Sequence, residues 1–184
     1  MSDKHTMPTK DPNRVVALTP TEFFWKLLTA AGKGAALDRA NQRTWALDPG
    51  ETTGSAYWTP SASGGTLHVR QFDTSDVVEG FQTLYNYAPG KSARHLRVED
   101  YRVYGWKAED HSWAALHTPQ FIGAIKVMAH LNAIPLSFMM AQQAKKMLTD
   151  DKLKLCGLYE PGLKHGRDAI RHLVYYLMYG ETSK

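Results

Sequence analysis

The stretch TWALDPGETTGSAYW, residues 44–58, is two β-prone runs separated by a tight turn. The first run ends at Asp48-Pro49-Gly50, and after Glu51 to Gly54 the second resumes with Ser55-Ala56-Tyr57-Trp58, the pattern of an antiparallel pair. Asp48 closes the first strand, where open α/β sheets place their ligand groups, and the Pro-Gly behind it turns the chain so that the carboxylate need not be buried. A turn at residues 61–65 leads to a third alternating run at 66–72, which completes a meander of three strands.

Downstream, residues 73–87 have a helical period, with Thr74 or Ser75 as cap, Val77, Val78, Phe81, Leu84 and Tyr85 on one face, and Ala88-Pro89-Gly90 as the stop. The β-rich run at 96–104 is broken by Arg97, Glu99, Asp100 and Arg102, and charges in a central-looking strand need an explanation. An irregular segment at 105–116 holds Trp106, Lys107, Asp110, His111 and Trp113. Thr118-Pro119 starts a helix with Phe121, Ile122, Ile125, Met128, Ala129 and Leu131 turned inward. A short strand at 134–140, a helix at 142–148 and a basic connector at 149–162 follow. The last helix spans 163–179, with Ile170, Leu173, Val174, Leu177 and Met178 as its apolar stripe.

Upstream, residues 1–18 read as a flexible tail. Thr19-Pro20-Thr21-Glu22 has the form of a capping box with Thr19 at the N-cap, opening a helix that Gly32-Lys33-Gly34 stops. The organisation is thus a tail at 1–18, a helical extension at 19–40 and one domain at 41–184. Its order, β-β-β-α-β-α-β-α-α, gives an α/β layer structure with an antiparallel opening and parallel crossovers.

Four side chains stand out. Glu99 lies among Leu96, Val98 and Val103, so its carboxylate needs a cation nearby, a metal or an arginine. His165 and Asp168, three apart at the start of the last helix, project from one face and can aim at one point. With Asp48 they make an oxygen-rich set suited to Mg²⁺ or Mn²⁺, and such sites commonly hold two ions roughly 4 Å apart for phosphodiester hydrolysis. Each has a plainer role as well. Asp before Pro-Gly is a routine turn former, Glu99 can pair with Arg97 or Arg102, and HxxD at a helix start is favourable capping.

LDPGETTG at 47–54, VEDYR at 98–102 and KHGRDAIRH at 164–172, in that order, resemble the RuvC family of Holliday junction resolvases, in particular its diverged bacteriophage members. The resemblance spans about residues 44–179. It implies an RNase H-like fold with a five-stranded mixed central sheet flanked by helices, to which the N-terminal helical extension is added. It also implies a homodimer that resolves four-way DNA junctions with Mg²⁺, or Mn²⁺ as substitute, two ions per site. By motif, Asp48, Glu99, His165 and Asp168 are the catalytic and metal-binding residues, with His165 either a ligand or a proton carrier. Thr52 and Thr53 form a hydroxyl-lined turn able to donate to a phosphate, while Lys145, Lys146 and Arg167 stand as DNA contacts. Lys107, between the two Trp, has the same standing, since aromatic rings there can stack on bases at a junction centre.

Length and composition agree with one globular domain. The chain has 184 residues, 43% hydrophobic and 22% charged, which excludes bulk disorder and low-complexity repeats. Lys plus Arg number 22 against 18 Asp plus Glu, a net charge of +4, so a polyanion is a permitted partner. The single Cys156 excludes a cysteine zinc site and an internal disulfide and points to a reducing interior. With neither an export signal nor a membrane helix, the expected place is the cytoplasm, that of the bacterial host if the gene is a phage's. Two other functions compete. One is a non-catalytic DNA-binding scaffold on the same fold. The other is an actin- or sugar-kinase-type nucleotide binder, which DPGETTG also suits but which needs two such lobes.

Overall fold

A computed structural model describes residues 14–87, 92–101 and 117–181 of the chain. The elements are β1 (Val16–Leu18), α1 (Glu22–Ala40), β2 (Thr44–Asp48), β3 (Thr52–Thr59), β4 (Thr66–Asp73) and α2 (Val77–Tyr87), then β5 (His95–Glu99), α3 (His117–Leu131), β6 (Leu136–Met139), α4 (Ala141–Met147), α5 (Asp150–Leu155) and α6 (Lys164–Tyr179). The strands form one sheet in the order β1-β4-β3-β2-β5-β6. β2, β3 and β4 pair antiparallel, as the meander requires, and β5 and β6 add in parallel beyond β2.

The five expected strands are β2 to β6. β1 is a sixth: Val16 to Leu18, expected in the tail, lie antiparallel to β4 with Val16 opposite Val69 and Leu18 opposite Leu67. Three residues carry too little periodicity to announce a strand, and this one exists because β4 offers an unpaired edge.

Strand alternation divides the sheet between two cores. On one side Ala46, Ala56, Trp58, Leu67 and Val69 pack under Phe24 and Leu28 of α1 and Ile170, Leu173, Val174 and Leu177 of α6. On the other, Trp45, Leu47, Leu96 and Val98 meet Leu84 of α2 and Phe121 and Ile125 of α3. Among the described residues both buried indoles have partners: Trp45 Nε1 donates to Ser55 Oγ at 2.9 Å and Trp58 Nε1 to the Ala40 carbonyl at 2.7 Å.

Several element boundaries differ from expectation for local reasons. α1 begins at Glu22, and its N-cap residue is Thr21, whose hydroxyl donates to the Leu155 carbonyl at 2.6 Å instead of capping. The helix continues through Gly32-Lys33-Gly34 to Ala40, because two glycines cost only about 2 kcal/mol and packing on α6 outweighs that. α2 is capped by Asp76, whose Oδ1 accepts from Val78 N at 2.8 Å and Glu79 N at 2.9 Å, in place of Thr74 or Ser75. Val78, Tyr85 and Leu131, expected inside, are exposed. The connector contains α5, capped by Thr149. The stop expected at residues 88–90 and the Trp106–Trp113 segment, Lys107 included, lie outside the described residues.

Candidate active site

The parallel register of β2 and β5 sets Leu47 beside Val98, so the next residues, Asp48 and Glu99, fall side by side at the strand ends. Both point to the α6 side, since their neighbours Leu47 and Val98 belong to the opposite core. Asp48 is 6% exposed. Its Oδ2 accepts from His165 Nδ1 at 3.0 Å. Glu99 Oε2 meets His172 Nε2 at 2.7 Å. One ligand atom each from Asp48, Glu99 and His172 lie within 4.8 Å of one another.

α6 brings its share of the site close because two glycines let it. A Cβ on Gly54 of β3 would fall 1.9 Å from the His165 carbonyl oxygen and 2.8 Å from Gly166 N. One on Gly166 would fall 2.8 Å from Val69 Cγ2. The helix start is held further by Gln71, whose Oε1 accepts from His165 N at 3.3 Å.

Asp168 joins the site from the next turn but is already neutralised. Its Oδ2 takes Lys145 Nζ at 3.0 Å and its Oδ1 takes Arg171 Nη1 at 2.5 Å. Arg171 also donates to Asp150 and, through Nε, to the Leu148 carbonyl at 2.7 Å, tying α6 to the α4–α5 corner. Lys145 stands beside a cleft of about 350 Å³ lined by Pro49, Glu99, Tyr101, Thr118, Gln142 and Lys145 itself.

The electrostatics follow from two carboxylates sharing a buried corner. Burial pushes Asp48 up to about 6; the His165 hydrogen bond opposes this and the adjacent Glu99 adds to it. Burial also works to raise Glu99, but hydrogen bonds from His172 and Asp48 outweigh it and hold Glu99 below the usual carboxylate range. His165 is raised by its bond to Asp48, against burial. Lys145 is raised too: burial works against its charge, and the bond to Asp168 overcomes it.

Other expected residues fare differently. Thr53 is fully buried, with Oγ1 2.8 Å from Thr74 Oγ1, where it braces the turn at Gly50. Arg167 is likewise a strut. Its Nη1 donates to the carbonyls of Glu160 at 2.8 Å and Pro161 at 3.1 Å, and its guanidinium covers the Tyr159 ring. Thr52 is half-buried in β3, and Lys146 is exposed on α4. Arg97 does not pair with Glu99 but donates to Ser137 Oγ at 2.8 Å. His172 is absent from the residues that the sequence singles out, yet the signal is there: it stands four residues beyond Asp168 and seven beyond His165, on the same helical face.

A mixed sheet with an antiparallel meander, parallel strands beyond it and an acidic pair on the adjacent strands β2 and β5 beneath the last helix has the architecture of the RNase H-like class of α/β proteins. Within that class, the fold is the one seen in RuvC. The structure of T. thermophilus RuvC in complex with Holliday junction substrate aligns with a TM-score of 0.54, at 18% identity, over 75% of this chain and 94% of that one. A further Thermus thermophilus RuvC structure gives 0.47 at 18% identity, over 75% and 95%. The yeast mitochondrial Holliday junction resolvase Ydc2 gives 0.49 at 9% identity, over 86% and 92%. No family model and no curated protein matches the chain.

A pH dependence follows from Asp48. A cation that uses this carboxylate must displace the proton that Asp48 holds below about pH 6. Affinity for Mn²⁺ is therefore expected to be flat above pH 7 and about tenfold weaker at pH 5, with proton release on binding near the midpoint. Titration calorimetry in two buffers of different ionisation enthalpy measures both.

Proposed function

We propose that the protein is a metal-dependent, structure-selective endodeoxyribonuclease that resolves four-way DNA junctions. The observation that carries this reading is the contact of Asp48 with Glu99. The two carboxylates share a buried corner in which burial, and after it the neighbouring Glu99, push Asp48 up to about 6, a cost that a cation between them would relieve. The donor set fits: carboxylate oxygens suit Mg²⁺ and Mn²⁺, and nearby imidazoles favour Mn²⁺ as an effective substitute. Asp48 and Glu99 would hold one ion, and Asp168 would serve a second once Lys145 turns to a phosphate. Bound divalent ions lower the pKa of attacking water and neutralise charge on a phosphodiester.

The chain's own groups supply the rest. Lys145, already drawn toward the carboxylates at the cleft, is the cation that meets the DNA backbone. His165, bonded to Asp48 and partly open to solvent, is placed to move a proton. Symmetrical cleavage of a junction needs two such sites, so the active form is a homodimer. The likeness of the three motifs to phage RuvC-like proteins supports action on recombination or replication intermediates in the cytoplasm of a bacterial host.

The test is cleavage of an end-labelled four-way junction beside matched duplex, flap and single-stranded DNA, with Mg²⁺, Mn²⁺ or EDTA. Paired nicks on the junction that require the metal are expected. Equal cutting of flap and junction would replace the junction-specific reading with a general debranching nuclease, and binding without cutting would leave a scaffold.

A further inference from the structure

His172 sits near the middle of α6 with no exposed surface. Its Nε2 is 2.7 Å from Glu99 Oε2, while its Nδ1 is buried with no hydrogen-bond partner. Together these favour one tautomer. A hydrogen on Nδ1 would be buried with nothing to receive it, whereas a hydrogen on Nε2 faces the carboxylate and leaves only a lone pair at Nδ1, the smaller cost.

The need for such a donor is set by the neighbouring strand. Burial works against an ionised Glu99, and the hydrogen bonds from His172 and Asp48 offset it where the carboxylate is required. Arg97, two residues back on the same face of β5, is turned to Ser137. Lys145 is turned to Asp168. The donor that anchors Glu99 beside Asp48 therefore comes from α6.

We propose that His172 is a positioning residue for Glu99: its imidazole donates the Nε2 hydrogen to Oε2, fixes the carboxylate beside Asp48 and leaves Oε1 as the oxygen that receives a divalent cation. The function of Glu99 in this statement rests on the nuclease reading, whereas the tautomer and the effect on cation binding do not.

Two substitutions separate this role from simple packing. His172→Phe keeps a ring of similar size and removes the donor; His172→Gln keeps a side-chain N–H near the Nε2 position. His172→Phe is expected to weaken Mn²⁺ affinity by about 10–100-fold, with a matching fall in kcat, and to leave junction binding in EDTA within twofold. His172→Gln is expected to recover Mn²⁺ affinity to within a few-fold of wild type. Nitrogen-15 NMR of the wild-type protein should show the Nε2–H tautomer, a readout that stands even if the phenylalanine variant does not fold. Wild-type Mn²⁺ affinity in His172→Phe, equal losses in the two variants, or an Nδ1–H ring would overturn the proposal. A wild-type protein that binds Mn²⁺ but cuts no DNA would overturn the nuclease reading alone, with the Mn²⁺ and NMR results still deciding the role of His172.

Discussion

Asp48→Asn is expected to lower the single-turnover rate of junction cleavage by about a thousandfold or more, with junction binding in EDTA within a few-fold of wild type. The substitution hardly changes size but removes the charge on which a cation between β2 and β5 depends. Lewis-acid assistance at a phosphodiester contributes several kcal/mol, and each ~1.4 kcal/mol is a factor of ten in rate. The same substitution is expected to leave thermal stability intact. It ends the crowding of two carboxylates in a buried corner and gives Glu99 an amide donor, which offsets loss of the Asp48–His165 pair. A folded Asp48→Asn variant that cuts within tenfold of wild type would remove Asp48 from the chemistry.

Gly54→Ala is expected to destabilise the protein by about 3 kcal/mol, the upper end for forcing extra atoms into a packed site. The reason is what the new methyl would meet: the carbonyl of His165 at 1.9 Å and the amide of Gly166 at 2.8 Å, backbone atoms that cannot rotate aside. α6 must lift from β3, and it carries His165, Asp168 and His172 with it, so cleavage should fall along with stability. Gly34→Ala is the matched control. Nothing lies within 4 Å of its added methyl, and the residue is inside α1, so a gain of about 0.5–1 kcal/mol is expected from helix propensity. Urea denaturation of both variants checks the opposite signs.

The features legible in the sequence are those written in local pattern. The meander around Asp48 and the apolar stripe of α6 follow from period alone, and all five stripe residues are buried. Charges in a strand of apolar neighbours mark Glu99 as unusual. The rest depends on contacts between distant segments. β1 forms because β4 has a free edge, and α1 ignores its Gly-Lys-Gly because α6 lies beneath it. Thr53 has the right chemistry for a phosphate contact, but Thr74 closes over it. Arg167 has the right charge, but the carbonyls of Glu160 and Pro161 claim it. His172 lies inside the motif that draws attention to His165 and Asp168, but a histidine in the apolar half of a helix has no visible partner until β5 is placed beside it.

The most direct test of a cation site between Asp48 and Glu99 is a crystal structure of the protein grown with Mn²⁺ and recorded at the manganese absorption edge. An anomalous peak within bonding distance of oxygens from both carboxylates is the predicted result. Manganese bound elsewhere, with Asp48 and Glu99 still in mutual contact at saturating metal, would contradict it.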